Sequence, residues 1–428
     1  MPDYSTTTKI MMTLAALASD AADPRPSGEK REHHIARIKQ GITTQLADKD
    51  LATQGQWKLS WVGLTKDGAN LAYIAQGPND DSGTVYALVL RGTVMDSLVD
   101  QLEDLQVGML VPFHPDGTKP MWPLPQISLG AMVAYGAIVS NTDLKTQLAQ
   151  LKPDTLYVVG HSLGGAMATT IALYLQQQAS AGMLSIGSIR PYTFAAPTAG
   201  DKTFAAWFDT QFPSAVCIYN KYDVVPTAWA TLASLPENWQ KNPFYPGPDS
   251  NPPGPGPVAK PDNAVGQQIA SMAGNTNGNV YVQPTQQPPL NAGPSPVFLE
   301  PYPEPADTDV DKFMQQVGFQ HWSNTYLKLL GAPQVPVVVP IASVSPTSGH
   351  LLGGTSVTIL PPKGQAFTPD SVVDFGTVAA KSHSVASDGS SITAVSPPSL
   401  LIGTVDIRVT NIYGTTAAGP SDQFTYTL

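Results

Sequence analysis

The 428-residue sequence predicts an α/β domain built on a mostly parallel sheet, followed by a small all-β sandwich. Three observations carry this prediction. Apolar runs at 84–90, 155–159, 188–195 and 215–219 are nearly continuous and short, as strands covered on both faces require. Ten or more residues separate each run from the next, enough for crossover helices and hence parallel strand order. Beyond residue 340 the pattern changes to short alternating segments at 356–360, 372–375, 404–410 and 423–427, cut by glycine and proline turns.

The first apolar run, 10–18, places Ile10, Leu14, Leu17 and Ala18 on one helical face. It is far too short to span a bilayer, and Asp3 with a single Lys9 makes a poor basic segment for a leader, so a packed helix is expected. Alternation at 57–61 and 70–75 adds two strands before the 84–90 run, and 163–178 reads as the helix that follows 155–159. Residues 243–305 hold 16 of the chain's 41 prolines, which rules out sheet interior and predicts a long surface insertion. Proline-interrupted residues 331–339 form the expected linker between a first domain, 1–330, and a second, 340–428.

Composition excludes several functions. With 23 Lys+Arg against 33 Asp+Glu, a net charge of −10 and no long basic run, neither nucleic acid nor an anionic membrane is an electrostatic partner. The lone Cys217 excludes an intrachain disulfide and dithiol redox chemistry. No cofactor or metal is expected. The chain is expected to be soluble, with its compartment, export route and oligomeric state left open.

Gly160-His161-Ser162-Leu163-Gly164 closes a buried strand and opens a helix, the setting in which a serine can stand on a sharp turn with its hydroxyl exposed. Glycines two positions away on each side relieve crowding there, and the helix N-terminus points free amides at a developing oxyanion. A hydroxyl needs a base to take its proton. Of the three histidines downstream, His350 and His383 fall in the β-rich tail and read as surface residues, leaving His321, placed on a loop feeding the last helix. Asp223 follows the 215–219 strand at the end where α/β sheets gather their sites and is the expected acid; Asp201 is its rival. The amide of Leu163 and Thr93, just after the 84–90 strand, are the expected oxyanion donors. In 94–113, Met95, Leu98, Val99, Leu102 and Leu105 alternate with acids at helical spacing, as either a mobile lid or an ordinary surface helix would.

These segments resemble the class 3, fungal-type triacylglycerol lipases. The matching pieces are Leu90-Arg91-Gly92-Thr93, the elbow with Gly165, Tyr192-Thr193-Phe194-Ala195-Ala196-Pro197, Asp223-Val224-Val225-Pro226 and His321, in family order. The resemblance implies an α/β-hydrolase fold, a Ser162, Asp223 and His321 triad, a role for Thr93 in the oxyanion hole, and lipid esters as substrates. Phospholipid, aryl ester and polyester substrates are alternatives, as is a non-catalytic surface-binding protein. The tail resembles an IPT/TIG immunoglobulin-like domain through Ser345-Pro346-Thr347-Ser348-Gly349, Gly353-Gly354-Thr355, Val395-Ser396-Pro397-Pro398 and Phe424-Thr425-Tyr426. Such domains are mostly binding or spacer modules, which implies a surface or polymer as the tail's partner.

Overall fold

The computed structural model describes residues 4–20, 29–91, 107–115, 122–232, 264–293, 295–299 and 308–428. The chain forms two compact units, one of residues 1–18 and 46–334, the other of 19–45 and 335–428. Residues 19–45, which the sequence places with the first domain, group with the C-terminal strands, where Arg37 Nη1 donates to the Asn411 carbonyl at 3.4 Å.

Among the described residues, eight strands build the first unit: β1 (Lys58–Leu64), β2 (Leu71–Gln76), β3 (Val85–Leu90), β4 (Leu110–Pro112), β5 (Gln126–Ser128), β6 (Thr155–His161), β7 (Ser188–Phe194) and β8 (Val216–Ile218). The main sheet has the order β1-β2-β3-β6-β7-β8, while β4 and β5 pair as a separate ribbon. From β3 to β8 the neighbours are parallel, whereas β1 and β2 extend the sheet antiparallel at one edge. Every residue of β3 and β6 is buried, so their apolar runs have no polar alternation.

Helices Leu129–Asn141, Leu144–Leu151, Leu163–Ser180 and Lys202–Gln211 supply much of the remaining core, with Ile138, Leu148, Ile171, Leu175, Phe204 and Phe208 packed among β2, β3 and β6 residues. Helix Thr6–Asp20 buries Met11, Leu14 and Leu17, and the Tyr73 hydroxyl donates to the Leu14 carbonyl at 2.6 Å.

The proline-rich insertion is more than a surface excursion. Residues 243–263 lie outside the described residues, but Ala264–Gly274 is a helix whose Val265, Ile269 and Met272 share a core with Tyr222, Val224, Val225 and Phe313. Further on, Gln287 donates to the Cys217 carbonyl and Leu290 to that of Tyr219, each at 2.8 Å, so the segment runs along the open edge of β8 and covers its backbone groups.

In the second unit most of helix Arg31–Leu46 accompanies an antiparallel sandwich with, among the described residues, one parallel pair. One sheet orders Ser348–His350, Gln423–Thr427, Gly403–Asn411, Val372–Phe375 and Val378–Ala379; the other orders Ser382–Val385, Ile392–Val395, Ser356–Leu360 and Ser343–Ser345. Val357, Ile359, Ile392, Ile407, Val409 and Phe424 alternate inward to fill the space between them, as an immunoglobulin-like sandwich requires. His350 and His383 are exposed.

Candidate active site

Ser162 stands between β6 and helix Leu163–Ser180 with φ 59° and ψ −136°. For a residue with a Cβ this costs on the order of 1–3 kcal/mol, so neighbouring structure must hold it. The Ser162 amide donates to the Phe194 carbonyl on β7 at 2.9 Å, and the Ser162 carbonyl accepts from Gly165 at 2.8 Å. Packing leaves no room for alternatives: a Cβ on Gly160 would overlap the Gly164 carbonyl, and one on Gly165 would lie 2.8 Å from Ala196 Cβ and 3.1 Å from the Phe194 oxygen.

His321 is buried and joins the two other predicted residues. Its Nε2 lies 2.8 Å from Ser162 Oγ and its Nδ1 2.8 Å from Asp223 Oδ2. The loop expected to carry His321 is instead the end of a helix, Asp309–His321, started by a Thr308 and Asp311 capping box; Trp322 alone, in extended conformation, separates it from helix Ser323–Leu330. A helix end fixes the imidazole more firmly than a loop would.

Asp223 follows β8, buried, with Oδ1 accepting from the Val225 amide at 2.9 Å. Its rival Asp201 has a structural task, capping helix Lys202–Gln211 by accepting from the Phe204 amide at 2.8 Å and the Gln126 amide at 3.2 Å.

Two residues around these three escaped the sequence reading. Tyr326 is fully buried, and its hydroxyl donates to Asp223 Oδ2 at 2.8 Å while accepting from the Asn220 amide at 2.9 Å. One carboxylate oxygen therefore takes two donors, His321 Nδ1 and Tyr326. Burial, and then the Asp223 charge, push the Tyr326 phenol well above its usual range, so it stays a donor. Asn220 is tied in turn to Gln320, the residue before His321, by Nδ2 donating to its carbonyl at 2.9 Å and its side-chain oxygen at 2.6 Å. In the sequence Tyr326 was only one apolar-face position of the last helix.

His161 is the other. Its ring lies 4.8 Å from that of His321 and 5.4 Å from that of Tyr326. Burial, and then the neighbouring His321, hold its basicity well below the ordinary histidine range, an effect partly opposed by a hydrogen bond to the His321 backbone. A second imidazole so placed stays neutral and packs without opposing positive charge on His321.

Leu163 opens its helix, so its amide is in the first turn, where backbone N–H groups have no intrahelical acceptor. Thr93, the other expected donor, and residues 94–106 of the stretch expected as either a lid or a surface helix lie outside the described residues, while its end forms β4 and buries Phe113. Arg91, two residues before Thr93, is buried and anchors the end of β3 to the β1–β2 turn, donating to the Gly68 and Ala69 carbonyls at 2.9 and 2.7 Å. Gln283, from the insertion, bridges the loops after β7 and β8 by donating to the Ala196 and Pro226 carbonyls at 2.8 and 2.9 Å. A hydroxyl, an imidazole and a carboxylate in hydrogen-bonded series can generate an alkoxide-like nucleophile and return the proton to a leaving group.

Comparison with known proteins places this geometry in context. Residues 87–232 match the family described as Lipase (class 3), and residues 340–427 match the IPT/TIG domain. The secreted mono- and diacylglycerol lipase LIP1 of Malassezia globosa is 28% identical over 150 residues, covering 33% of this chain and 45% of that protein. A lipase of Rhizomucor miehei is 34% identical over 177 residues, covering 39% of this chain and 44% of that protein. The chain thus spans less than half the length of these two relatives. The crystal structure of M37 lipase matches the fold with a TM-score of 0.59 and 22% identity, over 77% of this chain and 93% of that one.

Proposed function

We propose, for a chain that belongs to the class 3 lipases through residues 87–232 and ends in an IPT/TIG domain, that it hydrolyses carboxylic esters and that its substrates are acylglycerols, triacylglycerol foremost. The observation that carries the reading is the hydrogen-bonded series from Ser162 through His321 to Asp223, with both links at 2.8 Å.

In this reading Ser162 Oγ attacks the ester carbonyl as His321 Nε2 takes its proton. The new C–O bond forms as the carbonyl π pair moves onto oxygen, where the Leu163 amide and Thr93 receive the negative charge. Collapse of this intermediate breaks the bond to the alcohol, which leaves with the proton from His321. Water then repeats the sequence on the acyl-enzyme and releases the carboxylic acid. Asp223 holds the imidazole with Nδ1 protonated and stabilises the imidazolium. Tyr326 acts one step further out, as a positioning residue for the carboxylate.

Support for acylglycerols comes from the activity for which the Malassezia relative is named, together with the shared segments. The test compares the unsubstituted chain with Ser162→Ala and His321→Ala on soluble p-nitrophenyl butyrate and on emulsified tri-, di- and mono-oleoylglycerol. Hydrolysis of all four, reduced at least a thousandfold by either substitution, is the expected result. Equal rates for the chain and Ser162→Ala would remove the enzyme reading, and a preference for phospholipid, aryl ester or polyester would replace the substrate.

A further inference from the structure

The C-terminal sandwich carries a feature that its own fold does not need. Between strands Ile392–Val395 and Gly403–Asn411 the chain projects Leu400, Leu401 and Ile402 at 101%, 78% and 58% exposure, three consecutive aliphatic side chains outside any core. Exposed single leucines are ordinary; a contiguous cluster marks a contact surface.

The loop is also held in shape. The Ser399 hydroxyl donates to the Leu401 carbonyl at 2.7 Å and accepts from its amide at 3.2 Å, closing a tight turn. Below it, the Tyr426 hydroxyl donates to the Pro397 carbonyl at 2.9 Å, and the Ser399 amide donates to the Leu351 carbonyl at 2.8 Å. That last bond brings in the neighbouring turn, whose Leu352 is 73% exposed. Beside the loop lies a groove of about 400 Å³ lined by Phe375, Val378, Leu401, Val405 and Tyr426.

Charge indicates the occupant. Residues 389–405 contain no Asp, Glu, Lys or Arg, so the projection lacks the charged residues with which a protein interface ordinarily rims its apolar centre. The chain's net charge of −10 disfavours anionic headgroups. Leu400 projects completely, and fluid acyl chains close around a convex tip of this kind. We propose that the C-terminal unit docks on a surface of uncharged acyl lipid by inserting Leu400, Leu401 and Ile402. The choice of lipid rests on the proposed hydrolysis of acylglycerols.

The test measures partition of the Ser162→Ala full chain onto a trioleoylglycerol emulsion coated with phosphatidylcholine, by flotation, so that turnover plays no part. Transfer of one exposed leucine into an apolar phase is worth about tenfold in partition. Leu400→Ser should therefore weaken binding about tenfold, and the triple change to serine at 400, 401 and 402 at least a hundredfold. Binding should persist when salt rises from about 50 to 500 mM, because no charge is involved. Equal thermal melting establishes that the triple variant is folded; should it fail to fold, Leu400→Ser and Ile402→Ser decide by the same measurement. Undiminished partition of the variants, or partition that collapses with salt, overturns the proposal. So does a dimer in sedimentation that the variants dissociate while partition is unchanged, since a second copy would then be the occupant. Failure of the unsubstituted chain to hydrolyse soluble p-nitrophenyl butyrate would sink the catalytic reading by itself and leave the flotation result standing.

Discussion

Replacing Gly160 by alanine is the sharpest perturbation of the turn that carries Ser162. The added Cβ would overlap the Gly164 carbonyl and lie 2.7 Å from the Gly165 amide nitrogen, both backbone atoms that no rotamer change can move. Ordinary contact requires the start of helix Leu163–Ser180 to retreat from β6 by on the order of 1 Å, and a displacement of that size at a reacting group costs about 100-fold in rate. Overpacking adds about 1–3 kcal/mol of destabilisation. Two other glycines calibrate the effect. Gly165→Ala meets the Ala196 methyl at 2.8 Å and should fall between Gly160→Ala and the unsubstituted chain. Gly136, inside helix Leu129–Asn141 with open space around it, should gain up to about 1 kcal/mol as alanine with unchanged activity. Steady-state kinetics on p-nitrophenyl butyrate with thermal melting of each variant gives the comparison. A Gly160→Ala enzyme that keeps turnover within twofold would refute the claim that this glycine sets the position of Ser162.

Three further outcomes follow from the surroundings of His321. Tyr326→Phe removes a donor from a buried carboxylate and leaves the Asn220 amide without its hydroxyl acceptor; it should cost about 1–3 kcal/mol in stability and lower kcat while leaving KM within twofold, whereas a fall confined to melting temperature would make Tyr326 merely structural. Asp201→Ala should lose about 0.5–2 kcal/mol with its helix cap while retaining turnover, whereas Asp223→Asn should lose several orders of magnitude in kcat with little effect on KM. Because burial and His321 hold His161 well below the ordinary histidine range, the unfolded chain takes up a proton there first as pH falls. Stability should be fully present above about pH 6.5 and decline below it by up to about 1.4 kcal/mol per pH unit, until His161 also protonates in the folded state. Denaturant titrations of His161→Phe should show a shallower decline over that window; an identical pH dependence would place the titration elsewhere.

What could be read from the sequence was what is encoded locally. The strands at 58–64, 71–76, 85–90, 155–161 and 188–194, the turn between β6 and its helix, and the amphipathic helix at residues 6–20 each leave a pattern within a few residues; β4 and β5, three residues each, are too short to leave one. Helix Leu129–Asn141 does not, because Leu129, Ala131, Met132, Val133, Ala134 and Tyr135 are apolar nearly all round and no 3.6-residue period survives. His321 closes a helix rather than lying on the expected loop although Thr308 and Asp311 spell a helix start, because prolines at 301, 303 and 305 crowd the approach to that start and the imidazole lies thirteen residues beyond it. Proline density likewise concealed Val265, Ile269 and Met272, whose spacing is helical and whose burial is complete. Elimination singles out His321, because only three histidines lie downstream of Ser162; Ser162 is marked by its glycine-flanked turn and Asp223 by its place after the 215–219 strand. No such scarcity marks Tyr326 or His161, whose significance depends on contacts across 103 positions for Tyr326 with Asp223, and on ring packing against His321.

In the proposed mechanism Ser162 is made nucleophilic by its contact with His321. Reaction of the folded chain with a fluorophosphonate, followed by peptide mass mapping and inactivation kinetics, tests it most directly. One phosphonyl group per chain, carried on Ser162, is expected, with the rate of labelling reduced at least a thousandfold in His321→Ala. Labelling at a different residue, or labelling of Ser162 at an equal rate without the imidazole, would contradict it.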